Sequence, residues 1–333
     1  MNRSSPLPVA LRVTLCCVWL VAGCGEPAPT DADGGDATAQ NATDTTNNGA
    51  SNGVSDGYAA NDGAGADSAG PAPFWQPPAG GYTVLFLDVG QGDAIVVIAA
   101  DGSTMLVDGG KREKILAKRL AALKLKSIDF VVATHADSDH IGALEAAFDS
   151  FDVGSVYWNG STKDTDVFDD FLQAAKEDGA QLLVPQRGDV FKLGEVPVEV
   201  VHPGKLSGSH NDDSIVLLTG CSGAWLLLTG DAEAKAEAEM LQDYGISDVD
   251  VLKVGHHGSK SGTTQPFLDA LKAKDAIISA GKQNIYNHPD SSVIERLKSS
   301  GAKVWETDVN DGDDTLMMKA DCKSPYVFSR PFW

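Results

Sequence analysis

The run Phe130-Val-Val-Ala-Thr-His135-Ala-Asp137-Ser-Asp139-His140-Ile-Gly142 narrows the possibilities for this chain more than any other stretch. An apolar strand ends there, and four side chains able to bind a metal follow within six residues. Alternation along an extended chain lets His135, Asp137 and Asp139 point one way, and His140 opens the next helix. Two carboxylates and two imidazoles beside a buried strand are costly to desolvate unless they are paired. A divalent cation removes that cost by keeping the carboxylates ionised and the imidazoles neutral. The pattern predicts a metal site at the C-terminal end of a buried strand.

Two later segments repeat it. In Trp225-Leu-Leu-Leu-Thr-Gly230-Asp231 an apolar strand ends in a Gly turn and an acid. In Val251-Leu-Lys253-Val-Gly-His256-His257-Gly258-Ser259-Lys260 another ends in adjacent histidines. Either feature alone is weak, because Asp after a strand is often only a helix cap. Together, three strand ends carry six ligand-type residues: His135, Asp137, Asp139, His140, Asp231 and His256.

Around these ends the hydrophobic pattern predicts strands over residues 83–87, 94–98, 104–107, 130–133, 198–201, 215–218, 225–228, 249–254, 276–279 and 315–318. Helices are expected over residues 115–123 and 165–178, the latter closed by Gly179, and from a capping box at Ser292-x-x-Glu295 to Gly301. Early strands are joined by hairpins and later ones alternate with helices, which suits a layered α/β sandwich with helices outside. No Gly-x-Gly-x-x-Gly, Walker-type loop or Gly-x-Ser-x-Gly elbow is present, so neither a nucleotide cofactor nor a serine nucleophile is expected.

The first 80 residues differ from the rest. Arg3 and Arg12 precede an apolar stretch, then Val21-Ala22-Gly23-Cys24, similar to a bacterial lipobox in which Cys24 is lipidated. Residues 1–23 read as a lipoprotein signal peptide and residues 24–80 as a disordered tether, since 25–80 lack Lys, Arg, Leu, Ile and Met. A coil of that length has a reach of ~40 Å. Residues 81–333 then form the domain, placed extracytoplasmically on a lipid anchor, with Gly25 favouring the outer membrane or cell surface. Cys221 and Cys322 are left as a pair whose bonding spacing does not decide. The domain holds 24 basic and 39 acidic side chains, net −15, which argues against broad nucleic-acid binding but not against a local basic funnel.

In this order, His-x-Asp-x-Asp-His, Thr-Gly-Asp and His-His-Gly-Ser resemble the metallo-β-lactamase-fold superfamily. A closer likeness is to the extracytoplasmic metallohydrolase domain of ComEC-type DNA-uptake (competence) proteins and its free-standing relatives. Leu87-Asp88-Val-Gly-Gln-Gly-Asp93-Ala94, Leu106-Val-Asp108-Gly-Gly110, Asn211-x-x-Ser214 and Asn284-x-Tyr286-x-His288-Pro289 extend the likeness across the domain. It implies an αββα sandwich with a dinuclear centre of Zn or Mn. Asp139, His140 and His256 would hold one ion, His135 and Asp137 the other, and Asp231 would bridge. His257 is the alternative to His256, and otherwise lies behind it or near substrate. The position of His135 and Asp137 lacks the further His common in the superfamily, which His210 or Asp212 would complete.

The function so implied is metal-dependent hydrolysis, with a metal-bound hydroxide attacking a phosphodiester. Asp139, His288 and Asn284 are its candidate catalytic residues. Lys253, Ser259, Lys260, His257, Asn211 and Ser214 are candidates for gripping the substrate, and Lys282 for meeting a phosphate. Single-stranded DNA is one candidate substrate, and a decorated envelope polymer is another. The rivals are lactone or β-lactam hydrolysis on the same fold, and a non-catalytic envelope-binding lipoprotein.

Overall fold

The computed structural model describes residues 72–331, apart from 283, 308, 311 and 312. The signal peptide, the lipidated Cys24 and nearly all of the tether expected from the sequence lie outside the described residues.

Two sheets form the body. The strands are β1 (Tyr82–Phe86), β2 (Ile95–Ala99), β3 (Thr104–Val107), β4 (Ile128–Ala133), β5 (Val153–Trp158), β6 (Gln181–Leu183), β7 (Val190–Leu193) and β8 (Val196–His202). They continue with β9 (Val216–Cys221), β10 (Ala224–Leu228), β11 (Val251–Lys253), β12 (Asp275–Ile278), β13 (Lys303–Glu306), β14 (Leu316–Ala320) and β15 (Val327–Ser329). One sheet runs β15-β14-β1-β2-β3-β4-β5-β6 and the other β13-β12-β11-β10-β9-β8-β7.

The side-chain period of two sorts the core into layers. In β1, Tyr82, Val84 and Phe86 meet the opposite sheet, while Leu85 joins the helix layer outside. In β2, Ile95 and Val97 face in while Val96 and Ile98 face out. Both faces are covered, which is why these strands read as continuous apolar runs. Leu116 and Leu120 of the helix Glu113–Leu123 and Phe168 and Phe171 of the helix Asp166–Asp178 cover the first sheet. Phe267 and Leu268 of Gln265–Leu271 and Val293 and Leu297 of Ser291–Ser299 cover the second. The fold is an αββα sandwich.

The expected helix at 165–178 is capped by Thr165, whose side chain accepts from the Phe168 N–H, and it ends on left-handed Gly179. The capping box at Ser292 is corrected. The cap is Asp290, whose carboxylate accepts from the Ser292 N–H.

In the first sheet β3, β4, β5 and β6 are parallel, as are β10 to β13 in the second. Parallel strands present their C-terminal ends along one edge, where open α/β sheets place their sites. The ends of β4, β10, β11 and β12 therefore deliver Thr134–His140, Asp231, His257 and Ser279 to neighbouring positions.

Cys221 and Cys322 are joined, tying the end of β9 in one sheet to the chain just after β14 in the other. The bond closes a loop across a separation of 101 residues, and cross-linking a loop of that size removes about 4–5 kcal/mol of unfolded-state entropy in the chain model. Replacing both cysteines with serine should lower the melting temperature by roughly 10 °C, read by calorimetry. An unchanged melting temperature would show that the bond adds nothing to stability.

Candidate metal centre

The centre is built on Asp231, 3% exposed just beyond β10. Gly230 precedes it with φ +51°, and a Cβ there would lie 3.0 Å from the Thr134 side chain, so the turn needs glycine. The two carboxylate oxygens of Asp231 face different imidazoles. Oδ1 lies 3.1 Å from His140 Nε2 and 3.5 Å from His257 Nε2. Oδ2 lies 3.8 Å from His135 Nε2 and 3.7 Å from His256 Nε2. Asp139 Oδ2 joins the first group, 3.4 Å from His257 Nε2, and Asp137 Oδ1 the second, 3.9 Å from His135 Nε2.

This corrects the sequence assignment of the adjacent histidines. His257, not His256, meets Asp139 and His140. His256 lies on the other side of Asp231 with His135, in the position that the sequence left short of a ligand. His210 and Asp212 do not join these groups; Asp212 accepts the Ala236 N–H at 3.2 Å and caps a helix. Both His256 and His257 hold left-handed backbone, φ +44° and +53°. Consecutive non-glycine residues in that region store strain of about 1–3 kcal/mol each, which is how one turn sends two neighbouring rings to opposite sides of one carboxylate.

Partners behind the rings fix their tautomers. His140 Nδ1 donates to Asp108 Oδ2 at 2.8 Å, and His257 Nδ1 donates to the Ser279 carbonyl at 2.8 Å. The Thr134 hydroxyl donates to Asp108, leaving its oxygen to accept from His135 Nδ1 at 3.1 Å. His256 Nδ1 donates to Glu233 Oε1 at 2.8 Å. Each Nε2 is then left facing the centre. His135 Nε2 and Asp231 Oδ1 are buried without a hydrogen-bond partner, and the Nε2 atoms of His140 and His257 stand 3.2 Å apart. Inward-facing lone pairs on oxygen and nitrogen fit a divalent cation, and the residues of the centre fit the metal chemistry that their types imply.

The charges agree. Burial opposes charge on His140, yet Asp231 and Asp108 carry its pKa well above the ordinary value. Burial likewise opposes charge on His257, and Asp231 and its bond to Asp139 raise it. For Asp231, burial pulls upward, but the charges of His140 and His257 hold it well below the usual carboxylate range. Burial and the charge of His140 push His135 down to about 4. Without a metal, protons on His140 and His257 supply the positive charge that the centre calls for. An incoming cation must displace them, so metal affinity should rise as pH is raised through and beyond the ordinary imidazole range, with protons released on binding. Calorimetry in two buffers of different ionisation enthalpy checks this; a pH-independent affinity would contradict it.

Several residues expected at the substrate do other work. Lys253 is fully buried, and its ammonium lies 2.8 Å from Asp93 Oδ2 and donates to the Val254 carbonyl, and it does not line the cavities beside the centre. Ser214 is fully buried, accepting from the Asp231 N–H at 3.1 Å, and Asn211 donates to Glu233 at 3.1 Å beside His256. Both position ligand-type residues rather than substrate. Asn284 is committed to its own loop: Oδ1 accepts from the Tyr286 and His288 N–H groups, and Nδ2 donates to the Gly281 and His288 carbonyls. It positions His288 and has no free group for catalysis. Ser259 is buried against Ser261, and Lys260 is exposed near Asp290, outside the cavities beside the centre.

His288 does stand at the centre, 5.4 Å ring to ring from His256, around a cavity of about 90 Å³ that Gln91, Asp137, Asp139, Asp231, His257 and Tyr286 also line. Burial and the neighbouring His256 and His257 lower its pKa. Sequence reasoning missed Lys163, whose Nζ lies 2.7 Å from Asp137 Oδ1, and the roles of Asp108, Glu233 and Asp93. For Asp93 and Asp108 the signal was present, as Asp93 follows Gly-Gln-Gly and Asp108 ends an apolar run before Gly-Gly. Gly92 has φ +118°, and a Cβ there would lie 2.1 Å from the Asp139 carbonyl oxygen, so glycine lets the loop before Asp93 rest on the Asp139 backbone.

Residues 87–282 match the family model of the metallo-beta-lactamase superfamily. The chain belongs to that superfamily. Within it, the chain is distantly related to competence proteins: it is 35% identical over 251 residues to ComE operon protein 3 of Bacillus subtilis, covering 68% of this chain and 32% of that protein. It is 29% identical over 231 residues to competence protein ComA of Neisseria gonorrhoeae, covering 68% and 31%. The chain thus spans about a third of the length of these relatives. Among solved structures it is similar to Igni18, a metallo hydrolase from Ignicoccus hospitalis, at 16% identity and a TM-score of 0.48, covering 72% of this chain and 99% of that one.

Proposed function

We propose that this domain is a metal-dependent phosphodiesterase with two divalent ions, zinc or manganese, at the centre. The observation that carries the metal count is Asp231, whose oxygens each face a separate pair of imidazole nitrogens. Asp139, His140 and His257 would hold one ion and His135, Asp137 and His256 the other, with Asp231 shared. Ions so held supply Lewis acidity, favouring ionisation of water near neutral pH and screening negative charge on the ester.

The chain supplies the rest. Asp108, Thr134, Glu233 and the Ser279 carbonyl orient the rings. His288, whose backbone N–H is held by Asn284, lines the cavity over the centre, and its neutral imidazole would exchange a proton with a leaving oxygen. Lys163 brings a cation beside Asp137, where it would hold that carboxylate in position. Phosphate is favoured over a lactone or β-lactam because the larger adjoining cavity, about 310 Å³, carries Lys111, Arg112 and Lys282 in an otherwise acidic domain. The names of the relatives, a ComE operon protein and a competence protein, make single-stranded DNA the first natural diester to try.

Metal-loaded protein should hydrolyse bis-p-nitrophenyl phosphate in preference to a lactone or a cephalosporin. Asp139→Asn should lower that rate by about a thousandfold or more while the fold persists, because the residue lies outside the sheet core. Preferential turnover of the lactone or cephalosporin would move the protein to the rival substrate class.

We also infer a lipid-anchored, extracytoplasmic placement. The lipobox ending at Cys24 and the disulfide Cys221–Cys322, a bond suited to oxidising compartments, both support it. Cys24→Ser should release the protein from the membrane fraction; unchanged partitioning would refute the anchor.

A further inference from the structure

The cavity of about 310 Å³ has more room than a single diester needs. It meets the small cavity over the centre along Gln91, Asp139 and Tyr286. Leading away from that junction, its walls carry Lys111, Arg112 and Lys282, and Asp139 is the only acid among its described lining residues. Lys111 and Arg112 are exposed, and among the described residues neither forms an ion pair with a carboxylate. The helix Glu113–Leu123 begins directly after Arg112, which lines this wall and offers no capping side chain. At the rim, Ile285 and Tyr286 are 86% and 54% exposed. Positive charge gathered in one groove of a domain with net charge −15 is not explained by the composition.

We infer that this groove is a second anion subsite, which binds a neighbouring phosphate of a phosphodiester chain while the scissile one sits over Asp231. The inference rests on the phosphodiesterase reading and specifies it: the enzyme selects repeating phosphodiesters over isolated ones. A guanidinium and two ammonium groups can grip phosphate oxygens away from the reacting bond, contributing to binding in ground and transition states alike, so the gain appears in KM. Tyr286 offers a ring face to whatever the repeat carries.

The test compares bis-p-nitrophenyl phosphate, which has one phosphate, with thymidylate oligomers and glycerol phosphate oligomers of two to six repeats, all with metal-loaded protein. In at least one oligomer series, kcat/KM should rise about tenfold or more from one phosphate to three, chiefly through KM. The series that shows the rise identifies whether the chain is nucleotide or polyol. In the variant Lys111→Ala/Arg112→Ala the rise should vanish, and the slope of log KM against log salt should fall by roughly 0.7 for each phosphate no longer gripped. Lys235→Ala, at a cation that lines a different cavity, should keep both the length dependence and the slope. Hydrolysis of the small diester with no length dependence in either series overturns the subsite alone. A length dependence that survives in Lys111→Ala/Arg112→Ala overturns it as well. No hydrolysis of any diester removes the phosphodiesterase reading and the subsite together.

Discussion

Asp231→Ala should release both of the proposed ions in one step and lower the proposed diester turnover by about 10⁴-fold or more, the scale on which catalytic sets fail when a shared member is removed. Its carboxylate reaches both sides of the centre, 3.1 Å from His140 Nε2 through one oxygen and 3.7 Å from His256 Nε2 through the other. Without it neither set of nitrogens is completed by a shared negative charge, and His135, His140 and His257 lose the carboxylate they face in common. The single-histidine variants should divide the effect. His257→Ala should empty the position held by Asp139 and His140, while His256→Ala should loosen the one held by His135 and Asp137. Elemental analysis after desalting reads all three directly, and thermal unfolding of the metal-free proteins checks that each variant folds. Retention of one full ion by Asp231→Ala would show that the two positions are independent and that Asp231 does not bridge. Loss confined to the Asp139 and His140 position in His256→Ala would restore the sequence-based assignment of that ring.

That assignment shows where sequence stops being legible. The strand ends after β4, β10 and β11 are readable because ligand-type residues follow apolar runs, and burial forces polar groups there to have a purpose. The apolar runs of β1 and β2 and the helix closed by Gly179 are equally readable. The strands β5, β6 and β7 are not: their residues mix buried, half-buried and exposed positions over three to six residues, leaving no period to detect. β13 and β15, short and largely half-buried or exposed, escape detection for the same reason. Which of His256 and His257 faces Asp139 depends on two left-handed backbone angles, which neither residue type encodes. Asp290 captures the helix start from Ser292 because its carboxylate reaches the Ser292 N–H at 2.9 Å, an interaction set by the entering chain rather than by the helix sequence. Lys253 is misleading in sequence because its partner is 160 positions earlier in the chain. A lysine close to Gly and His looks solvated until the fold brings Asp93 to it.

That buried pair should make Lys253→Met among the most damaging substitutions in the domain. Lys253 is 0% exposed and Asp93 1%, and their atoms meet at 2.8 Å. Removing one partner of a buried ion pair strands the other charge without solvent, at a cost of about 3–5 kcal/mol, which in a domain of this size lowers the melting temperature by roughly 10 °C. The stranded charge would be badly placed, since Asp93 Oδ1 already lacks a hydrogen-bond partner and lies 3.6 Å from His257 Nδ1. Asp93→Asn/Lys253→Met removes both charges, and replacing a buried pair by neutral groups is often close to neutral in stability, so the double variant should recover most of the stability. Metal binding should not recover with it. Asp93 closes the glycine loop that rests on the Asp139 carbonyl, and its charge lies beside the imidazole that completes the Asp139 and His140 position. Outer partners of metal ligands contribute about 10–100-fold to affinity, and the double variant should bind metal more weakly by an amount in that range. Thermal unfolding in chelator and metal titration of the same preparations separate the two effects. If the double variant melts as low as Lys253→Met, stranded charge is not the cause of the damage. If it melts like the wild type and binds metal equally well, the pair is a structural plug with no hold on the centre.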